Sequence, residues 1–125
     1  EENTVDVIGA IAQTLAALGI LDVWLIRFNQ STGFRAGSAQ NMTEEFEVYG
    51  FPAWATYAVG AVKITLAILL LVGLFVDDLT RPAAIALAAL MVGAVGMHVR
   101  AGDPIKKAAP ALTILALSVI AAILA

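Results

Sequence analysis

The sequence predicts an all-α, membrane-embedded four-helix bundle, with a long loop and a short surface helix between the first and second spans. Three observations predict it. The chain is 61% hydrophobic and 14% charged, with a mean hydropathy of +0.91; a soluble domain carries about a quarter charged residues and roughly half apolar ones. The run 53–76 holds one charge, Lys63, in its twenty-four residues, and a membrane crossing takes ~20 residues at ~1.5 Å each. Turn residues divide the remainder into three more apolar runs. The expected spans are about 5–27, 53–76, 82–100 and 104–125, within one domain over 1–125.

The elements follow in order. Residues 1–6 are polar and acidic. The apolar run from Val7 opens the first span, and its length predicts a membrane span rather than a signal segment. Gln13 is tolerable inside a bundle, and Asp22 sits near the end. Residues 28–50 form the one long connection. Gly33 and Gly37 among polar residues make its first half a loop. Asn41 followed by Glu44 caps a short helix in its second half. There Glu44, Glu45 and Glu47 are expected to face one way, with Phe46 and Tyr49 on the membrane side. Gly50 and Pro52 stop that helix.

In the second span, Thr56, Gly60, Lys63 and Ala67 share one stripe. Small residues let helices approach closely, so the stripe should face inward. Asp77–Arg81 is a tight turn in which Thr80 is expected to cap the third span. Ala101-Gly-Asp-Pro104 is the next turn, with Asp103 expected as cap of the fourth. Lys106 and Lys107 can reach the headgroups.

Arg27, Arg35, Arg100, Lys106 and Lys107 lie at the end of the bundle that carries the long loop, whereas Arg81 stands alone at the other end. Basic residues favour the inside. The long loop is therefore expected on the cytoplasmic side of a bacterial inner membrane, or the stromal side of an organelle membrane, with the termini opposite. Trp24, Tyr49, Trp54 and Tyr57 would form an aromatic belt there.

Chemistry-bearing residues are few. Counted from the loop side at ~1.5 Å per residue, Asp22 lies ~9 Å deep and Lys63 ~16 Å deep. They are the first candidate pair: a structural ion pair that fixes helix register, or part of a polar pocket for a substrate, a quinone or a proton. His98, the only histidine, is either an interfacial residue or a third member of that pocket. Arg27, Arg35, Phe34, Phe46 and Tyr49 are candidates for contact with lipid or a partner. No catalytic constellation and no phosphate-cradling loop is evident. One histidine and no cysteine are too few for a protein-ligated metal, so neither metal nor any chain-borne cofactor is expected. The net charge of −3 speaks against nucleic acid.

From Trp24 to Pro110 the chain resembles the DoxX-like family of small four-helix membrane proteins. Glu45-Phe46, Tyr49-Gly50-Phe51-Pro52, Val59-Gly60-x-x-Lys63, Ala88-x-x-Met91-x-x-Ala94 with His98, and Asp103-Pro104-x-Lys106-Lys107 carry the resemblance. Leu25 to Asn29 and Phe34-Arg35 add to it. In many members the position of Lys63 is Glu. The resemblance implies the bundle fold. Its members include the membrane subunit of a thiosulfate:quinone oxidoreductase, parts of oxidative-stress membrane complexes and assembly factors. The expected role is a non-catalytic accessory or assembly subunit among other membrane-protein subunits and lipids. The alternative is the membrane subunit of a quinone-linked oxidoreductase holding a quinone or lipid.

Overall fold

A computed structural model describes residues 2–125 of the chain. Five α-helices are formed among them: α1 (Glu2–Leu21), α2 (Met42–Val48), α3 (Ala53–Val72), α4 (Thr80–Arg100) and α5 (Ala109–Leu124). The fold is all-helical, and α1, α3, α4 and α5 belong to four stretches long and apolar enough to cross a membrane. A π-helical turn, Asp22–Ile26, prolongs α1, and short 3₁₀ turns precede α4 and α5. The α-helix of the second span ends at Val72, four residues before the expected Val76.

The four spans form a closed square in which each helix packs on its sequence neighbours and α5 returns to α1. Contacts fix the sense of packing. Gln13 meets Leu70 and Trp24 meets Gly60, so α1 and α3 run antiparallel. Gly9 faces Leu124 and Gly19 faces Ile114, so α1 and α5 do too. The short α3–α4 and α4–α5 links impose the same alternation on the last three spans. Apolar side chains such as Ile11, Leu15, Val62, Ile68, Val92 and Ile123 face outward. In lipid that is the favourable arrangement, so the protein is an integral membrane protein in contact with lipid. Inside, Ala12, Ala16, Ala17, Ala67, Ala83 and Ala84 line the helix seams, because close approach is what apolar helices gain from one another in hydrocarbon.

The stripe of α3 is buried as expected: Thr56, Gly60, Lys63 and Ala67 all face the interior, and Leu70 continues it. Thr56 Oγ1 is a buried side-chain polar atom that has no hydrogen-bond partner among the described residues.

At the end away from the loop, one polar knot ties three elements. Gln13 Nε2 donates to the Leu70 carbonyl at 2.8 Å and to Thr80 Oγ1 at 3.2 Å, and Thr80 Oγ1 donates to the Gly73 carbonyl at 3.2 Å. This corrects the expected role of Thr80. Its hydroxyl makes no cap hydrogen bond for α4, because it faces the bundle and closes the α3–α4 turn. The Arg81 guanidinium instead satisfies the last carbonyls of α5, those of Ala122 and Ala125.

Gly73 sits against this knot. A methyl group there would collide with Thr80 Oγ1 and stand 3.1 Å from the Leu69 carbonyl. Gly73→Ala should therefore cost about 1–3 kcal/mol, as overpacking does. Gly93→Ala, whose added carbon meets nothing within 4 Å, should change stability by less than about 0.5 kcal/mol. Thermal unfolding of both variants in detergent checks the contrast.

Candidate functional site

The site is built at the loop end by two helix caps of the same design. Both α2 and α4 are followed by a Gly with positive φ, Gly50 at 90° and Gly102 at 75°. The chain then turns back: Phe51 N–H bonds the Phe46 carbonyl at 2.9 Å, and Asp103 N–H bonds the His98 carbonyl at 3.1 Å. In this motif the residue after the Gly lies over the one five positions earlier. Phe51 accordingly packs on Phe46, ring centroids 6.0 Å apart. Asp103 folds onto His98, its Oδ2 2.9 Å from Nδ1.

Around these caps runs a chain of polar contacts. Arg35 Nη1 reaches Glu45 Oε1 at 3.2 Å, with the side chains only 4% and 10% exposed. The same guanidinium holds the carbonyls of Arg27 and Gln30, so it ties the loop to α2. Tyr49 OH donates to Glu45 Oε2 at 2.7 Å. His98 Nε2 lies 3.4 Å from the Tyr49 oxygen and 3.7 Å from Glu45 Oε2. Beyond His98, Asp103 Oδ1 accepts from the Gly37 N–H at 3.0 Å, and Lys107 Nζ donates to the Gly37 carbonyl at 2.6 Å. Burial and the neighbouring Glu45 charge push the Tyr49 phenol well above its usual range. Burial pushes the Asp103 carboxyl up, yet the Gly37 N–H, His98 and Lys107 outweigh it and hold it below the usual carboxylate value.

This chain borders a cavity of about 490 Å³ that extends into the bundle between all four spans. Its walls are mainly apolar, with Ile20, Val59, Met91, Ala94 and Ile114 among them. Lys63 lines it, 6% exposed, with Nζ 5.4 Å from the centre of the Trp24 ring. That ammonium forms no hydrogen bond or ion pair within 4 Å of a described carboxylate; the cation–ring contact replaces them. Trp24 in turn needs Gly60, where any Cβ would come within 2.7 Å of its ring.

Several expectations are corrected. Asp22 borders the cavity but does not pair with Lys63; its carboxylate binds Arg27 Nε at 2.9 Å, both about half exposed. The π turn is the reason, since it aligns residues five apart and bonds Arg27 N–H to the Asp22 carbonyl. Arg35, Phe46 and Tyr49 are not on the outer surface of the chain; all three are buried. Glu45 does not share the exposed side of Glu44 and Glu47, because α2 packs flat on the bundle mouth with Met42, Glu45 and Phe46 inward. Phe34 and Arg27 are exposed. Asp103 caps no helix with its side chain. Of the expected aromatic belt, Trp54 and Tyr57 are outside, whereas Trp24 and Tyr49 are inside. Asn41 Oδ1 does accept from the Glu44 N–H at 2.9 Å.

Lys63, His98 and Asp22 thus border one cavity. Glu45 and Tyr49 were missed as its companions, and Asp103 as the partner of His98. A signal for Asp103 was present: Tyr49-Gly-Phe-Pro52 and Ala101-Gly-Asp-Pro104 share a spacing, and the second puts an acid over His98.

The family model of the DoxX-like family matches residues 20–121. The chain belongs to the DoxX-like family. Comparison with curated proteins and with solved structures finds no significant match in either. The matched segment contains every residue of this site, from Ile20 to Ile114.

Two outcomes are expected. Arg35→Met should destabilise the protein by about 3–5 kcal/mol, because it leaves the Glu45 carboxylate buried without its partner. Asp22→Asn, which breaks the exposed pair, should cost less than about 1 kcal/mol. Chemical denaturation in detergent reads both. In a Tyr57→Phe background, Tyr49 should resist ionisation beyond pH ~10. Its raised value means that it contributes stability below pH ~10 that is lost as pH rises further. Absorbance of the phenolate against pH measures this, and an ordinary titration near pH 10 would refute it.

Proposed function

We propose that this chain is a membrane subunit of a larger complex and that its cavity receives the head of a quinone-type amphiphile. The observation that carries the reading is the pairing of a largely apolar cavity with the ammonium of Lys63, which meets the Trp24 ring and no carboxylate among the described residues. About 490 Å³ falls within the roughly 300–1,000 Å³ of small-molecule sites. Apolar walls suit a lipid-soluble ligand, and Lys63 would bind a carbonyl oxygen and oppose the negative charge that grows on it during reduction. Tyr49 and His98 offer a second polar contact at the loop end.

Reduction of a quinone takes up two electrons and two protons. With no cysteine, the chain cannot hold a thiolate-ligated iron–sulfur centre. The electrons are therefore assigned to a partner subunit, which supports the subunit reading. The family's quinone-linked members point the same way. We assign the loop end to the cytoplasmic or stromal side, from its excess of basic residues.

Ligand binding can be read on Trp24. Trp54→Phe removes the other tryptophan, which is 71% exposed. Decylubiquinone added to this variant in nanodiscs should quench Trp24 saturably. Lys63→Met should weaken the binding by about tenfold or more, as loss of a charged hydrogen bond does. Linear quenching, identical in both variants, would overturn the assignment. Native mass spectrometry of gently extracted membranes should find the chain at fixed stoichiometry with other subunits; a free monomer would refute the subunit half. Because the chain lacks cysteine, Ser38→Cys gives a single thiol on the loop. An impermeant maleimide should fail to label it in intact cells and label it after lysis.

A further inference from the structure

The buried cluster around His98 extends beyond the ligand contact at Tyr49 and His98. His98 stands between two carboxylates, with Nδ1 2.9 Å from Asp103 Oδ2 and Nε2 3.7 Å from Glu45 Oε2. Its side chain is 8% exposed and that of Asp103 5%. The two carboxylates face different places. Glu45 and Tyr49 line the cavity, whereas Asp103, between exposed Gly102 and Pro104 at the loop-side rim, has a buried side chain that accepts from the N–H of exposed Gly37. A single imidazole thus links a carboxylate that lines the cavity to one at the loop-side rim.

We propose that Asp103, His98 and Glu45 form a proton route from loop-side water to the ligand in the cavity. The proposal rests on the reading of that cavity as the site of a proton-accepting ligand. In one passage Asp103 passes a proton taken from water to Nδ1, giving the imidazolium. Nε2 then releases a proton to the Glu45–Tyr49 pair, from which the ligand oxygen receives it. One proton enters and one leaves, and the ring returns to neutral. An imidazole suits this task because it binds and releases protons near neutral pH and has two nitrogens pointing opposite ways.

The charges facing His98 come from every side. Glu45 and Tyr49 approach from α2 and its cap, and Asp103 from the α4–α5 link. Lys107 reaches the same link through Gly37, Arg35 holds the far oxygen of Glu45, and Lys63 stands on the α3 wall of the cavity. In this arrangement Asp103 is a positioning residue as well as the outer station. Its carboxylate keeps one ring nitrogen turned outward and the other inward, and the positive φ of Gly102 holds it there.

The test uses the single histidine. ¹⁵N-histidine labelling of the chain, purified through a non-histidine tag in nanodiscs, reports on His98 alone. Decylubiquinone at concentrations that saturate Trp24 quenching should shift the His98 ring signals. Asp103→Asn should slow exchange of the ring N–H with water at least about tenfold, with quinone quenching retained. Asp103→Glu should restore the rate. Saturable quenching with unmoved His98 signals would overturn the route, as would equal exchange in Asp103→Asn. If Asp103→Asn does not fold, the ligand-induced shift in the unaltered chain decides. An absence of saturable quenching would instead remove the ligand reading, while the exchange rates still judge whether Asp103 connects His98 to water.

Discussion

The buried carboxylate of Glu45 is the constraint on which the loop end depends. A charge taken out of water is tolerated only with partners that replace its hydration. Glu45 has Arg35 on one oxygen and Tyr49 and His98 at the other. Each partner belongs to a different part of the chain: the loop, the cap of α2 and the end of α4. Satisfying one carboxylate therefore folds the long connection onto the bundle and closes its mouth. The same requirement pulls Arg35 away from the membrane surface, where its charge alone would have left it.

Elsewhere the bundle is held by small contacts, since lipid offers helices no hydrophobic reason to associate. Alanine seams bring α1 and α5 together, and Gly60 makes room for Trp24. The Gln13–Leu70–Thr80–Gly73 knot closes the opposite end. Polar fastening at both ends leaves the middle free to be apolar, and the cavity occupies the half nearer the loop. Its ammonium is retained by the face of Trp24 rather than by an acid. A direct carboxylate partner would occupy the donor assigned to the proposed ligand.

The caps of α2 and α4 connect local conformation to this chemistry. Each needs a glycine because a left-handed residue reverses the chain within two positions. In α2 the reversal brings one phenyl ring onto another. In α4 it brings a carboxylate onto an imidazole. The same turn thus yields packing in one place and a hydrogen-bonded histidine in the other, and the two side chains it brings together make the difference.

By itself the sequence determined the membrane class, the four spans, the inward stripe of α3, the helix cap at Asn41 and the family. All of these follow from composition, periodicity and contiguous motifs, which act over a few residues. It also singled out Lys63 and His98 as the groups worth weighing. Which groups meet was decided by tertiary structure alone. Asp22 and Lys63 look like a pair by depth, but the π turn gives Asp22 to Arg27. Glu45 looks like one of three exposed acids, yet docking of α2 buries it against Arg35, ten residues earlier, and His98, fifty-three residues later. Burial of a charge is settled by partners that the chain brings from a distance, and no local pattern encodes them.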